Sequence, residues 1–124
     1  MSFTPDPPLQ PLRIPAGWHV AYNQFFDIEP DMTAEAYSGS WWYFSEDMLQ
    51  LKHAEWKLLL DLGWYPESRP EGNFKIYLVQ LMDDVEEMPD AWESPLATFS
   101  SPSRQEIVKT IEAWLLKPPA RAKA

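Results

Sequence analysis

Glu55-Trp56-Lys57-Leu58-Leu59-Leu60-Asp61-Leu62-Gly63-Trp64-Tyr65-Pro66 is the stretch whose reading decides the fold. At the two-residue period of a strand, it places Trp56, Leu58, Leu60, Leu62 and Trp64 on one face, with Glu55, Lys57, Leu59 and Asp61 on the other. One face is wholly apolar and the other is mixed. A helix over residues 55–62 is the competing reading, because those residue types are good helix formers. Gly63, the bulky Trp64 and Tyr65, and then Pro66 argue against a long one. The stretch predicts a strand at the centre of a core and carries no catalytic signature.

Working outward, residues 48–53 form a short strand with Leu49, Leu51 and His53 sharing a face, close enough in sequence to make an antiparallel hairpin with the central stretch. The polar turn over residues 67–72 leads to residues 73–82, where Phe74, Ile76, Leu78 and Met82 alternate with Lys75, Tyr77, Val79 and Leu81. A three-stranded meander follows. Residues 17–27 also have strand character, with Trp18, Val20 and Tyr22 on one face and His19, Ala21 and Asn23 on the other. Phe25 and Phe26 break that register as a bulge or bend would. Residues 27–31 are an acid-rich turn, and Leu96-Ala97-Thr98-Phe99 is a short strand or edge segment.

Thr33-Ala34-Glu35-Ala36 can open a short helix, which Ser38-Gly39-Ser40 interrupts before the block Trp41-Trp42-Tyr43-Phe44. Four consecutive aromatics cannot all face inward from one strand. The block is either a contact surface, with at least one ring exposed, or a hydrophobic plug over the core. The end of the chain is a helix. Ser103-Arg104-Gln105-Glu106 is a capping box, and Ser101 followed by Pro102 is the alternative start. Ile107, Val108, Ile111, Trp114 and Leu115 form its apolar stripe, with Arg104, Lys109, Glu112 and Lys117 outside, and Pro118-Pro119 stops it near Leu116.

One amphipathic helix and three to five strands bury their apolar faces most economically as a curved antiparallel β-sheet packed against the C-terminal α-helix. The expected fold is a two-layer α+β domain over residues 17–117. It is flanked by a flexible Pro-rich arm at 1–16 and a flexible tail at 118–124. A chain of 124 residues is one domain by size, and 45% apolar residues, with 15% aromatics, predict a packed core.

The chain has no cysteine, which excludes disulfides, thiolate metal sites and a cysteine nucleophile. No run approaches the roughly 18 apolar residues of a membrane span, and the first residues lack the basic start and apolar block of a signal peptide, so a soluble cytoplasmic protein is expected. The formal net charge of −9 repels nucleic-acid phosphate and anionic lipid and attracts basic partners. The same charge also serves simple solubility.

The two histidines, His19 and His53, are isolated and lie within strand patterns, so both are expected to be structural. No metal-ligand spacing, phosphate loop or nucleophile motif occurs, and neither cofactor nor catalytic residue is expected. Asp61 is expected to pair with Lys57 or with backbone donors. Residues 83–93 hold six acids and no base and are expected to form a loop. Asp83, Asp84, Glu86, Glu87 and Asp90 there lack the EF-hand order of calcium ligands. With Asp27, Glu29 and Asp31, these acids would steer a basic protein partner, raising its on-rate by about 10- to 1000-fold at low salt. Trp92 and one or more of Trp41, Trp42 and Tyr43 would supply desolvated anchors.

Leu49-Gln50-Leu51, then Trp56 with Asp61-Leu62-Gly63-Trp64-Tyr65-Pro66, Gly72, Trp92 with Pro95-Leu96, and Trp114-Leu115 give a pattern from Trp18 to Leu116. It resembles small immunity proteins of bacterial polymorphic-toxin and contact-dependent inhibition systems. The resemblance implies a non-catalytic, single-domain cytoplasmic protein that binds a cognate toxin, often a basic nuclease, and blocks its active site or substrate groove. Two other readings compete. One is a small enzyme or ligand-binding domain with Asp61, His53 and Tyr77 lining a pocket between sheet and helix. The other is a subunit that self-associates through residues 41–44.

Overall fold

The structure, a computed structural model, describes residues 6–119. Five strands, β1 (Trp18–Asn23), β2 (Leu49–His53), β3 (Leu58–Tyr65), β4 (Asn73–Gln80) and β5 (Ala97–Ser101), form one antiparallel sheet in the order β1-β2-β3-β4-β5. Every strand thus lies beside its neighbour in sequence. Helix α1 (Met88–Glu93) precedes β5, and α2 (Arg104–Leu116) follows it and packs against the sheet. This is the α+β architecture expected from the sequence.

The central stretch becomes a strand from Leu58 rather than from Glu55. His53 pairs with Leu58, so residues 54–57 are the hairpin turn, and Lys57 takes a left-handed conformation at φ 56°. Trp56 folds back from this turn and stacks on His53, with centroids 4.0 Å apart and planes 5° from parallel. His53 Nδ1 accepts a 3.0 Å bond from the Trp56 backbone N–H, which gives this buried histidine a structural role. Gly17, at φ +100°, leaves its side-chain position to the His53 ring, so any larger residue there would displace it.

Leu58, Leu60, Leu62 and Trp64 point toward α2, as the alternation predicts, and all are buried. They pack with Leu49 and Leu51 of β2, Phe74, Ile76 and Leu78 of β4, and Ile107, Ile111 and Leu115 of α2. Each such side chain contributes roughly 1.5–3 kcal/mol when fully buried. Trp18 closes the helix end of this layer by donating from Nε1 to the Leu115 carbonyl at 2.9 Å. Ser103 is the N-cap of α2, accepting from the Glu106 amide at 3.2 Å, while Ser101 accepts from the Ser103 amide.

Three local expectations are corrected. The register break in β1 lies between Val20 and Tyr22 rather than at Phe25, so Tyr22 leaves the face of Trp18 and pairs opposite Gln50. The aromatic block, read as either a contact surface or a plug and with Trp41 among its contact residues, is a 3₁₀ turn (Gly39–Tyr43) that sends Trp41 and Phe44 into the core, where Trp41 sits 5.4 Å from Trp64, and leaves Trp42 exposed. Residues 83–93 are not a loop but a 3₁₀ turn (Val85–Glu87) leading into α1. Asp84 Oδ1 caps it by accepting from the Glu86 amide at 2.9 Å, and Pro89 lies in the first turn of α1, where no backbone donor is needed.

The Pro-rich arm is docked over its described part. Gln10 N–H donates to the Phe25 carbonyl and Asp27 N–H to the Pro8 carbonyl, both at 2.8 Å, and Leu12 and Ile14 pack against the core. Arg13 N–H reaches Glu112 of α2 at 2.7 Å. Residues 1–5 and 120–124 of the expected arm and tail lie outside the described residues.

Candidate functional site

The strand register gathers a polar row on the sheet face away from α2. Gln50, Asp61, Tyr77 and Thr98 face one another across β2 to β5, and the bulge in β1 adds Tyr22 to the row. Tyr65 lies four residues beyond Asp61 on the same face of β3 and meets Tyr77 edge to face at 6.0 Å. Trp92 of α1 continues the chain of rings, 6.1 Å from Tyr77. Lys75 places its ammonium 4.8 Å above the Tyr77 ring.

Asp61 is the centre of this face and is only 5% exposed. Its Oδ2 accepts from the Tyr22 hydroxyl at 3.0 Å and from Gln50 Nε2 at 3.1 Å. Lys57, the expected partner, sits in the preceding turn and binds Asp83 instead. No cation pairs with Asp61 among the described residues. Burial pushes its carboxyl up to about 6, with Asp47 adding to the rise and the bonds from Gln50 and Tyr22 opposing it. Burial and the neighbouring Asp61 carboxylate hold the Tyr22 and Tyr65 phenols above their ordinary range.

Gly63 makes the edge of this site possible. Any side chain there would strike the Glu46 backbone, which passes over β3 as Trp64 N–H donates to the Ser45 carbonyl at 2.8 Å. The crossing brings Asp47 to within 3.5 Å of the Tyr22 hydroxyl. Two carboxylates, Asp47 and Asp61, therefore compete for one phenolic proton.

The expected contact residues divide. Glu86, Glu87 and Asp90 are exposed on the turn and on α1, without an ion pair among the described residues, and Trp92 is half-buried. Glu87 and Asp90 also line a surface cleft of about 390 Å³ together with Met82, Ala91 and Leu96. Asp83 is paired with Lys57, and Asp84 caps the turn. Trp42 is 66% exposed, but Trp41 is fully buried and cannot touch a partner. Its indole N–H is bonded to the Ala34 carbonyl, and its ring fills the core.

The second acidic patch is also partly neutralised. Arg104, expected on the outside of α2, binds Asp27, Glu29 and Gln10, so Asp27 and Glu29 are not free to steer a cation. Asp31 is held in a local turn by Thr33, whose hydrogen bonds pull its carboxyl below the usual range.

The three residues expected to line a pocket lie on two sides of the sheet. His53 faces α2, whereas Asp61 and Tyr77 face away from it, so the three cannot line one cavity. Among the described residues, no three His, Asp or Glu side chains converge as metal ligands, and no helix is long and apolar enough to cross a membrane. Comparison with protein-family models, with curated protein sequences and with solved structures finds no match.

Proposed function

We propose that this chain is a non-catalytic binding protein that neutralises a basic protein partner by docking it on the sheet face opposite α2, in the manner of an immunity protein against a bacterial toxin. The observation that carries the reading is the composition of that face. Tyr22, Tyr65, Tyr77 and Trp92 are half-buried there, and the carboxylates of Asp47, Asp61, Glu86, Glu87 and Asp90 lack cationic partners among the described residues. Aromatic rings with polar tips are the side chains that dominate binding energy, and unpaired acids nearby raise the rate of encounter with a cationic surface.

Among the described residues this face holds one raised carboxyl, Asp61, whose hydrogen-bond partners are Tyr22 and Gln50. Blocking a partner by occupancy asks for contact rings and charge, and the half-buried Tyr22, Tyr65, Tyr77 and Trp92 with the nearby acids support that reading. The test is co-expression with the toxin-domain product of a neighbouring gene. The reading expects growth to be rescued by the wild-type chain and lost when Tyr77 and Trp92 are both changed to Ala. Rescue that survives those changes together with loss of the five carboxylates would refute docking on this face.

A second reading, self-association, draws on Trp42 and Tyr37, both exposed and 6.3 Å apart. It expects a dimer in sedimentation that Trp42→Ser converts to monomer, and a wild-type monomer at high concentration would exclude it.

A further inference from the structure

The inference concerns how the proposed face would hold its partner, and so it rests on the docking reading above. We propose that Asp61 and Asp47 together anchor one guanidinium of the basic partner, an arginine side chain received beside the rings of Tyr22 and Tyr65.

Four observations meet at this point. Asp61 is buried, yet both of its hydrogen bonds go to Oδ2, so Oδ1 accepts none among the described residues. No fully buried side-chain oxygen or nitrogen lacks a partner there, so Oδ1 must reach solvent. Asp47 stands across the Tyr22 hydroxyl, exposed and without a cation, and gives a second acceptor to the same spot. Glu46 contributes further negative charge, and its carbonyl accepts from the Tyr65 hydroxyl at 3.4 Å.

The chemistry selects a guanidinium. Two carboxylates on either side of one phenol call for a planar cation with several donors in a fork, which arginine presents and a single ammonium does not. The tyrosine rings supply faces for that plane, and the chain's own Lys75 rides over the Tyr77 ring rather than pairing with Asp61, which leaves the carboxylate without a cation among the described residues. A buried carboxylate of this kind is costly to the free protein, and a bound cation offsets that cost. The bound state is where the cluster becomes electrostatically complete.

The experiment titrates the ¹⁵N-labelled full chain with hexa-arginine and, separately, with hexa-lysine, following backbone amide shifts. The anchor expects hexa-arginine to move the amides around Asp47, Asp61 and Tyr65, and to bind more tightly than hexa-lysine. Asp61→Asn and Asp47→Asn should each weaken hexa-arginine by about tenfold. Unmoved α2 amides certify the fold of Asp61→Asn, and Asp47→Asn, at an exposed position, carries the test by itself if they do not. Binding of hexa-arginine that neither variant weakens, or that shifts only residues 83–93, overturns the anchor and leaves the docking reading standing. Absence of binding by either peptide at low salt overturns both.

Discussion

Tyr22 donates a 3.0 Å hydrogen bond to Asp61 although the two residues lie on strands that are not neighbours, β1 and β3. The bulge between Val20 and Tyr22 makes this possible by turning the phenol onto the face opposite Trp18. A carboxylate in the middle of a strand buried on both faces thereby gains a donor but no counter-charge.

That arrangement predicts a pH-dependent stability with an unusual sign. The Asp61 carboxyl titrates near 6 in the folded chain and near 3.9 when unfolded. The native state therefore binds more protons than the unfolded state between about pH 4 and 6, and stability falls as pH rises through that window. The charged form costs roughly 3 kcal/mol at pH 7. Asp61→Asn should accordingly raise the denaturant midpoint at pH 7.5 and have little effect at pH 3.5. Equal effects at both values would show that Asp61 is not held up by burial. Tyr22→Phe removes an opposing bond, and an NMR titration should then find the Asp61 carboxyl higher still.

The meander, the hairpin at residues 53–58 and the final helix were legible because each has a local cause: a two-residue period, a short turn, a capping serine. Asp61 was visible as a lone charge in the run Leu58-Leu59-Leu60-Asp61-Leu62. Its partners were not, because Tyr22 and Gln50 reach it through strand pairing and a one-residue bulge that leaves no mark in β1 beyond the small Ala21. The acidic stretch was legible as charge but not as helix, since α1 is short and starts without a side-chain cap, Asp84 capping only the 3₁₀ turn before it. Arg104 looked like solvent-facing surface on the helical wheel, and only the docked arm shows what it binds.

Trp41 and Trp42 are adjacent in sequence and opposite in environment. Trp41→Ala should cost about 3–5 kcal/mol, because it empties a ring from the cluster with Phe44 and Trp64. Trp42→Ala should change stability by no more than about 0.5 kcal/mol, because that ring is mostly in solvent. Urea unfolding of the two variants checks the pair. Similar losses would mean that the 3₁₀ turn does not divide the block as described.

Arg104 ties three segments together at the start of α2: the arm through Gln10 and the following turn through Asp27 and Glu29. Its side chain is only 16% exposed, so these pairs are less screened than open surface bridges. Arg104→Met keeps the stem and removes the fork, and it should cost about 1–3 kcal/mol. Hydrogen exchange should then speed up first at the Gln10 and Asp27 amides, whose acceptors are the Phe25 and Pro8 carbonyls. Protection unchanged at those two amides would show that the arm holds without the arginine.

Charge on the turn and on α1 should act on encounter rather than on residence. Glu86, Glu87 and Asp90 stand in solvent, where the Debye length of about 10 Å at 0.1 M salt lets them act over a short range only. Glu86→Gln, Glu87→Gln and Asp90→Asn combined should slow association with hexa-arginine several-fold at low salt and leave dissociation within about twofold, since rim charges govern on-rate. Asp83 is omitted because Lys57 already neutralises it. Asp61→Asn should show the opposite pattern in the same stopped-flow experiment, faster dissociation with nearly unchanged association, because a buried acceptor is felt only after contact. Association that is indifferent to both salt and the triple change would remove steering from the account, and a slower on-rate for Asp61→Asn would remove the division of labour between rim and centre.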